Sequence, residues 1–256
     1  MSKIFLDFGH GGSDSGAVSG VLVEKNMNLV TGLECKEVLE QYGVEVKLSR
    51  GSDIYVSLGE RVSMANNWRA DYFVSCHYNA GGGDRGEVIH SIYRNKGLSL
   101  ANSIAAAMKS EGQDTMKVYE KRDQDNKDYY YVIKNTRMDA VIVEGGFIDN
   151  AVDRQLFDTV EKQKAMGRAI AYGILDYLGI AIKKGKPIAD SVSGTQYGIV
   201  IADVLNVRGG RGTTYGIIGK LKLGAKVKLC YKMNNWWSID YGANVGYVSA
   251  DFIKEV

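Results

Sequence analysis

Hydrophobic positions fall into two regimes along this chain. Over residues 1–179, short and wholly apolar runs alternate with segments whose apolar residues recur every three or four positions, the pattern of buried strands alternating with helices. The run Lys3-Ile4-Phe5-Leu6-Asp7-Phe8 stops at Gly9-His10-Gly11-Gly12. The run from Asp71 to Cys76 stops at His77, and Ala140-Val141-Ile142-Val143 stops at Glu144-Gly145-Gly146. Strands are also predicted over Val44 to Ser49, Glu87 to Tyr93 and Tyr129 to Ile133. Helices are predicted from Glu24 to the Gly43 stop, over Leu58 to Arg69, over Leu98 to Lys109, and from Asp153 to Tyr177 with Gly179 as terminator. Gly11 to Gly20 reads as a loop, and Asp114 to Asp128 as a charge-dense one. This alternation predicts an α/β fold with a doubly wound, mostly parallel sheet flanked by helices. Beyond residue 196 the helical period vanishes. Short β-type runs separated by turn signals at Gly209-Gly210, Gly224, Asn234-Asn235 and Gly242 predict a small all-β barrel over 197–256. Residues 180–196, which hold the only proline, Pro187, read as the linker.

Composition changes this picture little. With 256 residues, 45% hydrophobic and 24% charged, the chain has ordinary globular material for one full-sized and one small domain. No apolar run reaches the roughly 18 residues of a membrane span; the best candidate, Met166 to Ile182, contains Arg168 and Asp176. The N-terminus has no basic segment leading into a dispensable apolar stretch, so synthesis in the cytoplasm and exit by a route other than a cleaved signal are expected. Cys35, Cys76 and Cys230 never approach a C-x-x-C spacing, which argues against a disulfide framework or a thiolate zinc cluster and for small buried hydrophobes. The net charge of +2 hides an asymmetry: residues 1–182 carry −4 and residues 197–256 carry +4. That bias is too weak to argue for nucleic acid, but suits a small module lying on an anionic polymer.

In open α/β sheets, functional groups collect beyond the carboxyl ends of the parallel strands, so polar groups at three strand ends can converge on one crevice. His10, His77 and Glu144 occupy such ends and Glu24 starts a helix. Two imidazoles and two carboxylates suit a catalytic zinc site, which takes three protein ligands. The fourth group then stays free to move protons. Spacing leaves open which glutamate ligates, because no H-E-x-x-H pair is present, and Glu24 also has an ordinary use as a first-turn carboxylate complementing the helix dipole. Gly9 to Gly16 lacks the lysine and hydroxyl of a phosphate loop, and no G-x-S-x-G elbow marks a serine hydrolase. His90 has no partner spacing and reads as structural or exposed.

Five blocks in order, Leu6-Asp7-Phe8-Gly9-His10-Gly11-Gly12, Glu24-Lys25-Asn26, Leu58-Gly59-Glu60-Arg61-Val62 with Ala65-Asn66, Val74 to Ala80, and Val143-Glu144-Gly145-Gly146-Phe147-Ile148-Asp149-Asn150, resemble the zinc-dependent N-acetylmuramoyl-L-alanine amidases of the amidase-3 type, found in bacterial autolysins and phage endolysins. The resemblance implies one zinc ion held by His10, Glu24 and His77, with Glu144 as the catalytic carboxylate. It also implies a peptidoglycan substrate cut between N-acetylmuramic acid and L-alanine. Cys76, Tyr78 and the charged segment Glu120 to Asp128 depart from the family pattern and leave substrate preference open. Asn79 reads equally as a substrate contact or a turn former. The tail, through Val204 to Gly210, Tyr215 to Gly219, Leu223 to Val227, Asn235 to Ile239 and Gly246 to Val248, resembles a bacterial Src-homology-three-like wall-binding module. Of Trp236 and Trp237, one is expected in its core and the other exposed for stacking on the wall. The expected role is that of an endolysin lysing the host wall after release through membrane lesions, or of a host enzyme acting after cell lysis. The rivals are another zinc peptidase of the wall and a wall-binding protein without activity.

Overall fold

The computed structural model describes residues 2–93, 95–182, 196–209, 212–213, 215–233, 235–242 and 244–256. The expected linker thus lies almost wholly outside the described residues, and so does the side chain of Cys230. The chain divides into two compact units, Met1–Ile182 and Lys183–Val256.

The first unit is built on a six-stranded sheet of order β4-β1-β5-β8-β6-β7, formed by β1 (Lys3–Phe8), β4 (Glu45–Leu48), β5 (Tyr72–Asn79), β6 (Gly86–His90), β7 (Met116–Glu120) and β8 (Asp139–Phe147). Strands β4, β1, β5 and β8 run parallel, in a register that pairs Phe5 with Phe73 and His77 with Glu144. Apolar residues fill successive positions of β1 because both sheet faces are covered. One face carries Phe5, Phe73, Ala140 and Ile142, with the Phe5 and Phe73 rings stacked at 5.6 Å, beneath α2 (Leu58–Trp68) and α4 (Tyr131–Asn135). The other meets α1 (Glu24–Gln41) and α3 (Asn95–Ser110), which pack on α5 (Val160–Tyr177). Helix α2 starts where Ser57 and Glu60 form a reciprocal capping box, and it ends as Arg69 turns left-handed at φ 56°.

The expected doubly wound, mostly parallel α/β architecture holds, with local differences from the expected elements. Strand β6 runs antiparallel to β8, so the sheet is mixed. Tyr129 to Ile133, read as a strand from its aromatic and β-branched residues, instead leads into α4: Val132 and Ile133 face the core one turn beneath α2, and this packing overrides propensity. The segment Asp114 to Asp128 contains β7. The last helix is broken, a 3₁₀ turn over Asp153–Leu156 preceding α5, because Thr159 caps α5 afresh at the amide of Lys162. Gly11 to Gly20 also contains the start of a two-strand ribbon, β2 (Val18–Ser19) with β3 (Leu22–Val23).

The second unit is all-β: β9 (Gln196–Val200), β10 (Val204–Arg208), β11 (Ile217–Lys222), β12 (Lys226–Met233), β13 (Trp236–Tyr241), β14 (Asn244–Ser249) and β15 (Ile253–Glu255) pair in the order β11-β10-β14-β13-β12-β9-β15. Its core gathers Leu205, Val207, Leu229, Ile239 and Val248 around Trp237. No helix among the described residues is long and apolar enough to cross a membrane.

Candidate metal centre

Strands β1 and β5 and helix α1 deliver His10, His77 and Glu24 to the carboxyl ends of the parallel strands. Strand β1 is prolonged by the bond from Gly9 N to Cys76 O, after which the chain turns sharply, with His10 left-handed at φ 60°. Two glycines make room for the imidazoles. A Cβ on Gly9 would stand 2.0 Å from Cε1 of His77, and one on Gly16 would stand 2.4 Å from Oε2 of Glu24 and 2.5 Å from Cδ2 of His10. His77 leaves the end of β5, and Glu24 enters from the first turn of α1.

There the three meet. One ligand atom each from His10, Glu24 and His77 lie within 4.8 Å of one another, the one such group among the described residues. His10 Nε2 stands 3.1 Å from Glu24 Oε2, and His77 Nδ1 stands 2.9 Å from Glu24 Oε1. The carboxylate also accepts from the amides of Ala17 and Tyr78 and from Asn28 Nδ2. Asp14 Oδ2 holds the far nitrogen of His10 at 2.9 Å, the outer carboxylate that orients a ligating imidazole. Electrostatics follow this closeness. Burial opposes ionisation of Glu24, yet the hydrogen bonds and charges of His10 and His77 hold it far below the carboxylate range. Burial likewise opposes a charged His77, but Glu24 and the charge of Glu144 push it up to about 9. His10 is also raised, by Glu24 against the effect of burial. Two imidazole nitrogens on partly exposed side chains and one oxygen of a buried carboxylate, in mutual reach, form the donor set that zinc prefers.

Glu144 faces this group from β8, beside His77 in register. Its Oε2 is buried and has no hydrogen-bond partner. Burial, with smaller contributions from Glu24 and Glu87, raises its carboxyl to about 7 against the opposing charge of His77. A pocket of 390 Å³ opens beside it. Tyr55, Leu58, Tyr130 and Tyr131 wall that pocket, which borders His10, His77 and Glu144 and reaches the buried Asp7–Arg61 pair.

The remaining positions singled out in the sequence lie outside this group. Asn79 donates to Glu87 Oε2 at 3.2 Å while its own oxygen accepts from the amide of Ala80 at 2.8 Å, so its amide is used within the fold as a turn former. Trp237 is 3% exposed in the core of the second unit, which removes it as a stacking surface. Trp236 is half-buried and borders a pocket of 570 Å³ together with Val204, Asn235, Asp251 and Phe252. His90 is buried and bonds the carbonyl of Ser91. Cys35 and Cys76 are buried, with burial raising both thiols.

Sequence reading missed the groups that hold the centre from outside. Arg61 Nη1 donates to Asp7 at 2.5 Å and its Nη2 to the carbonyl of His10 at 2.9 Å; Ser75 Oγ completes the shell of Asp7 at 2.6 Å. Asp7 was visible as a charge inside an apolar run and Arg61 as a cation on the apolar side of a helix, the signal of a buried pair.

Two known families and several relatives match this chain. The family described as N-acetylmuramoyl-L-alanine amidase matches residues 4–176, and that described as bacterial SH3 domain matches residues 203–254. The N-acetylmuramoyl-L-alanine amidase CwlM of Bacillus licheniformis is 38% identical over 192 residues, 74% of this chain and 72% of that protein. An endolysin of Bacillus phage SPP1 is 34% identical over 188 residues, 72% of this chain and 69% of its own. The solved catalytic domain of CwlV, an N-acetylmuramoyl-L-alanine amidase from Bacillus (Paenibacillus) polymyxa var. colistinus, superposes with a TM-score of 0.62 at 31% identity, covering 71% of this chain and all of that one.

Proposed function

The chain belongs to the N-acetylmuramoyl-L-alanine amidase family, and from that premise we propose that it hydrolyses the amide between the lactyl group of N-acetylmuramic acid and L-alanine at a zinc centre made of His10, Glu24 and His77, with Glu144 as the proton carrier. The observation that carries this reading is the convergence of two imidazoles and one carboxylate within 4.8 Å beside a second carboxylate that makes no hydrogen bond through its Oε2. A zinc ion held there supplies a Lewis acid for the scissile carbonyl and a lowered pKa for the attacking water.

The protein's own residues do the rest. Glu144, its carboxyl raised to about 7, accepts a proton from water near neutral pH and returns it to the departing amine of L-alanine, so the C–N bond breaks into a carboxylate and an ammonium. Asp14 fixes the ring of His10, and the Asp7–Arg61 pair fixes the backbone that carries it. The walls of Tyr55, Leu58 and Tyr131 give the substrate an apolar surface and keep bulk water from Glu144.

The second unit is read as the tether. Its pocket is lined by Trp236 and Phe252 beside polar Asn235 and Asp251, a surface suited to the wall polymer. Linking that module to the hydrolase raises the local concentration of scissile bonds. The likeness to the phage endolysin favours a lytic role, with release from the cytoplasm through membrane lesions proposed as its route; the likeness to the amidase CwlM favours the alternative of a bacterial enzyme acting on the wall.

Mass spectrometry of purified wall digested with and without a chelator tests the proposal. New amino groups on L-alanine, appearing only without chelator, are expected. New termini inside the stem peptide, or release that persists in chelator, would overturn it.

A further inference from the structure

The segment joining β4 to α2 contributes no ligand, yet it grips two of the three elements that do, the turn of His10 and the start of α1. Ser49 Oγ accepts from the amide of Phe8 at 3.0 Å. Arg50, 2% exposed and among the largest fully buried side chains, spreads its guanidinium between the two ligand-bearing elements. Nε donates to the carbonyl of Phe8 at 2.9 Å and Nη2 to that of Gly9 at 3.0 Å, on the strand end that delivers His10. The same Nη2 donates to the carbonyl of Lys25 at 2.7 Å, one residue beyond Glu24. Three residues further on, Asp53 repeats the pattern from outside. Its Oδ1 accepts from the amide of Gly12 at 2.7 Å and its Oδ2 pairs with Lys25 Nζ at 2.7 Å, while Lys25 Nζ donates to the carbonyl of Gly12 at 2.8 Å.

These bonds converge on one structural quantity, the separation between the His10 turn and the first turn of α1. His10 sits in a left-handed turn flanked by Gly9, Gly11 and Gly12, a backbone with little stiffness of its own. Glu24 stands in a helical first turn whose capping residue, Val23, supplies no side-chain bond. Local bonds, from Asp14 to the ring of His10 and from the amides of Glu24 and Lys25 to the carbonyls of Ala17 and Ser15, tie each turn to the loop between them, and the segment joining β4 to α2 adds bonds from outside that loop. A planar guanidinium can bond carbonyls on two elements at fixed angles, which the single nitrogen of a lysine cannot do.

We infer that Arg50 and Asp53 form a brace that sets metal affinity by holding His10 and Glu24 at ligating distance; they are positioning residues, and the inference rests on the zinc reading above. Outer partners of this kind carry roughly 10–100-fold in metal affinity. Zinc dissociation constants of the full chain are measured by competition with a chromophoric chelator, alongside melting temperatures of the metal-stripped proteins. Arg50→Lys is expected to bind zinc about 10–100-fold more weakly. Asp53→Ala, at a half-exposed side chain whose loss leaves the core intact, is expected to weaken zinc by a smaller factor while the metal-stripped melting temperature stays at the wild-type value. Ile104→Ala, a core truncation in α3 remote from the centre, should lower melting without moving zinc affinity. Should Arg50→Lys not fold, Asp53→Ala alone decides. Wild-type zinc affinity in the folded variants, or an equal loss in Ile104→Ala, overturns the brace. A wild-type protein that takes up no zinc overturns the metal reading instead, and the brace with it.

Discussion

Replacing Glu144 with glutamine separates what this carboxyl does for the reaction from what it costs the fold. Glutamine keeps the shape and cannot accept the proton of water. Proton transfer by a positioned side chain contributes about 10²–10⁴ in rate, so Glu144→Gln should lose about 3–5 kcal/mol of barrier lowering and clear purified wall at no measurable rate, with one zinc per chain still bound. The stability effect runs the other way. Burial raises this carboxyl from an ordinary 4.5 to about 7 in the folded protein. A raised folded pKa means that the protonated group is accommodated without penalty below 4.5, and that stability is lost as pH rises through 7, where the native state holds a buried anion that the unfolded chain hydrates freely. The gap of 2.5 pH units corresponds to about 3 kcal/mol at most, less to the extent that the carboxyl meets the pocket. Glutamine never ionises. Metal-stripped Glu144→Gln should therefore match the wild type at pH 4.5 and exceed it by up to about 3 kcal/mol at pH 8 in denaturant unfolding. A variant that clears wall normally would refute the proton-carrier role. A stability difference that does not change with pH would refute the burial argument independently.

Three further outcomes are expected. Gly9→Ala forces a methyl to within 2.0 Å of the His77 ring, so the ring must leave its place; zinc stoichiometry should collapse while circular dichroism retains the α/β spectrum. Asp7→Asn leaves Arg61 buried beside a neutral group and should destabilise the first unit by about 3–5 kcal/mol. In the wild type, burial opposes the charge on Asp7 but Arg61 and Ser75 outweigh it and depress its pKa; the stability this pair contributes is complete above pH 3.8 and is lost as pH falls through the lower folded value, visible in acid titration of the fold. Trp236→Ala should reduce co-sedimentation with purified wall and leave hydrolysis of a soluble muramyl peptide unchanged, and equal sedimentation would exclude that pocket as the tether.

The parts of this protein that were legible in its sequence are those in which one residue type has one physical use. A histidine closing an apolar run, as at His10 and His77, falls close to the carboxyl end of a strand, just past β1 and just before the end of β5, and parallel register brings the two together. What stayed hidden depends on partners far apart in the chain. Val132 and Ile133 lie in a helix rather than a strand because α2 covers them, and nothing within the segment records that cover. The antiparallel course of β6 is equally non-local, although it sets Glu87 opposite Glu144 and so contributes to the raised carboxyl.

The centre shows why the hidden part matters to the chemistry. Two of the three ligands, His10 and Glu24, lie on a glycine-rich turn and on a helix start without a side-chain cap, which are soft places in a fold. Their rigidity is borrowed from charges that look unremarkable in the sequence: Arg61 on the carbonyl of His10, and Arg50 across the carbonyls of Gly9 and Lys25. Each is buried against the carbonyl dipoles it bonds, and Arg61 also against the carboxylate of Asp7, so removal of either leaves those oxygen atoms without their donor. Ligand identity decides which metal can bind here, and this outer ring of arginines decides how closely the ligands are already arranged to receive it.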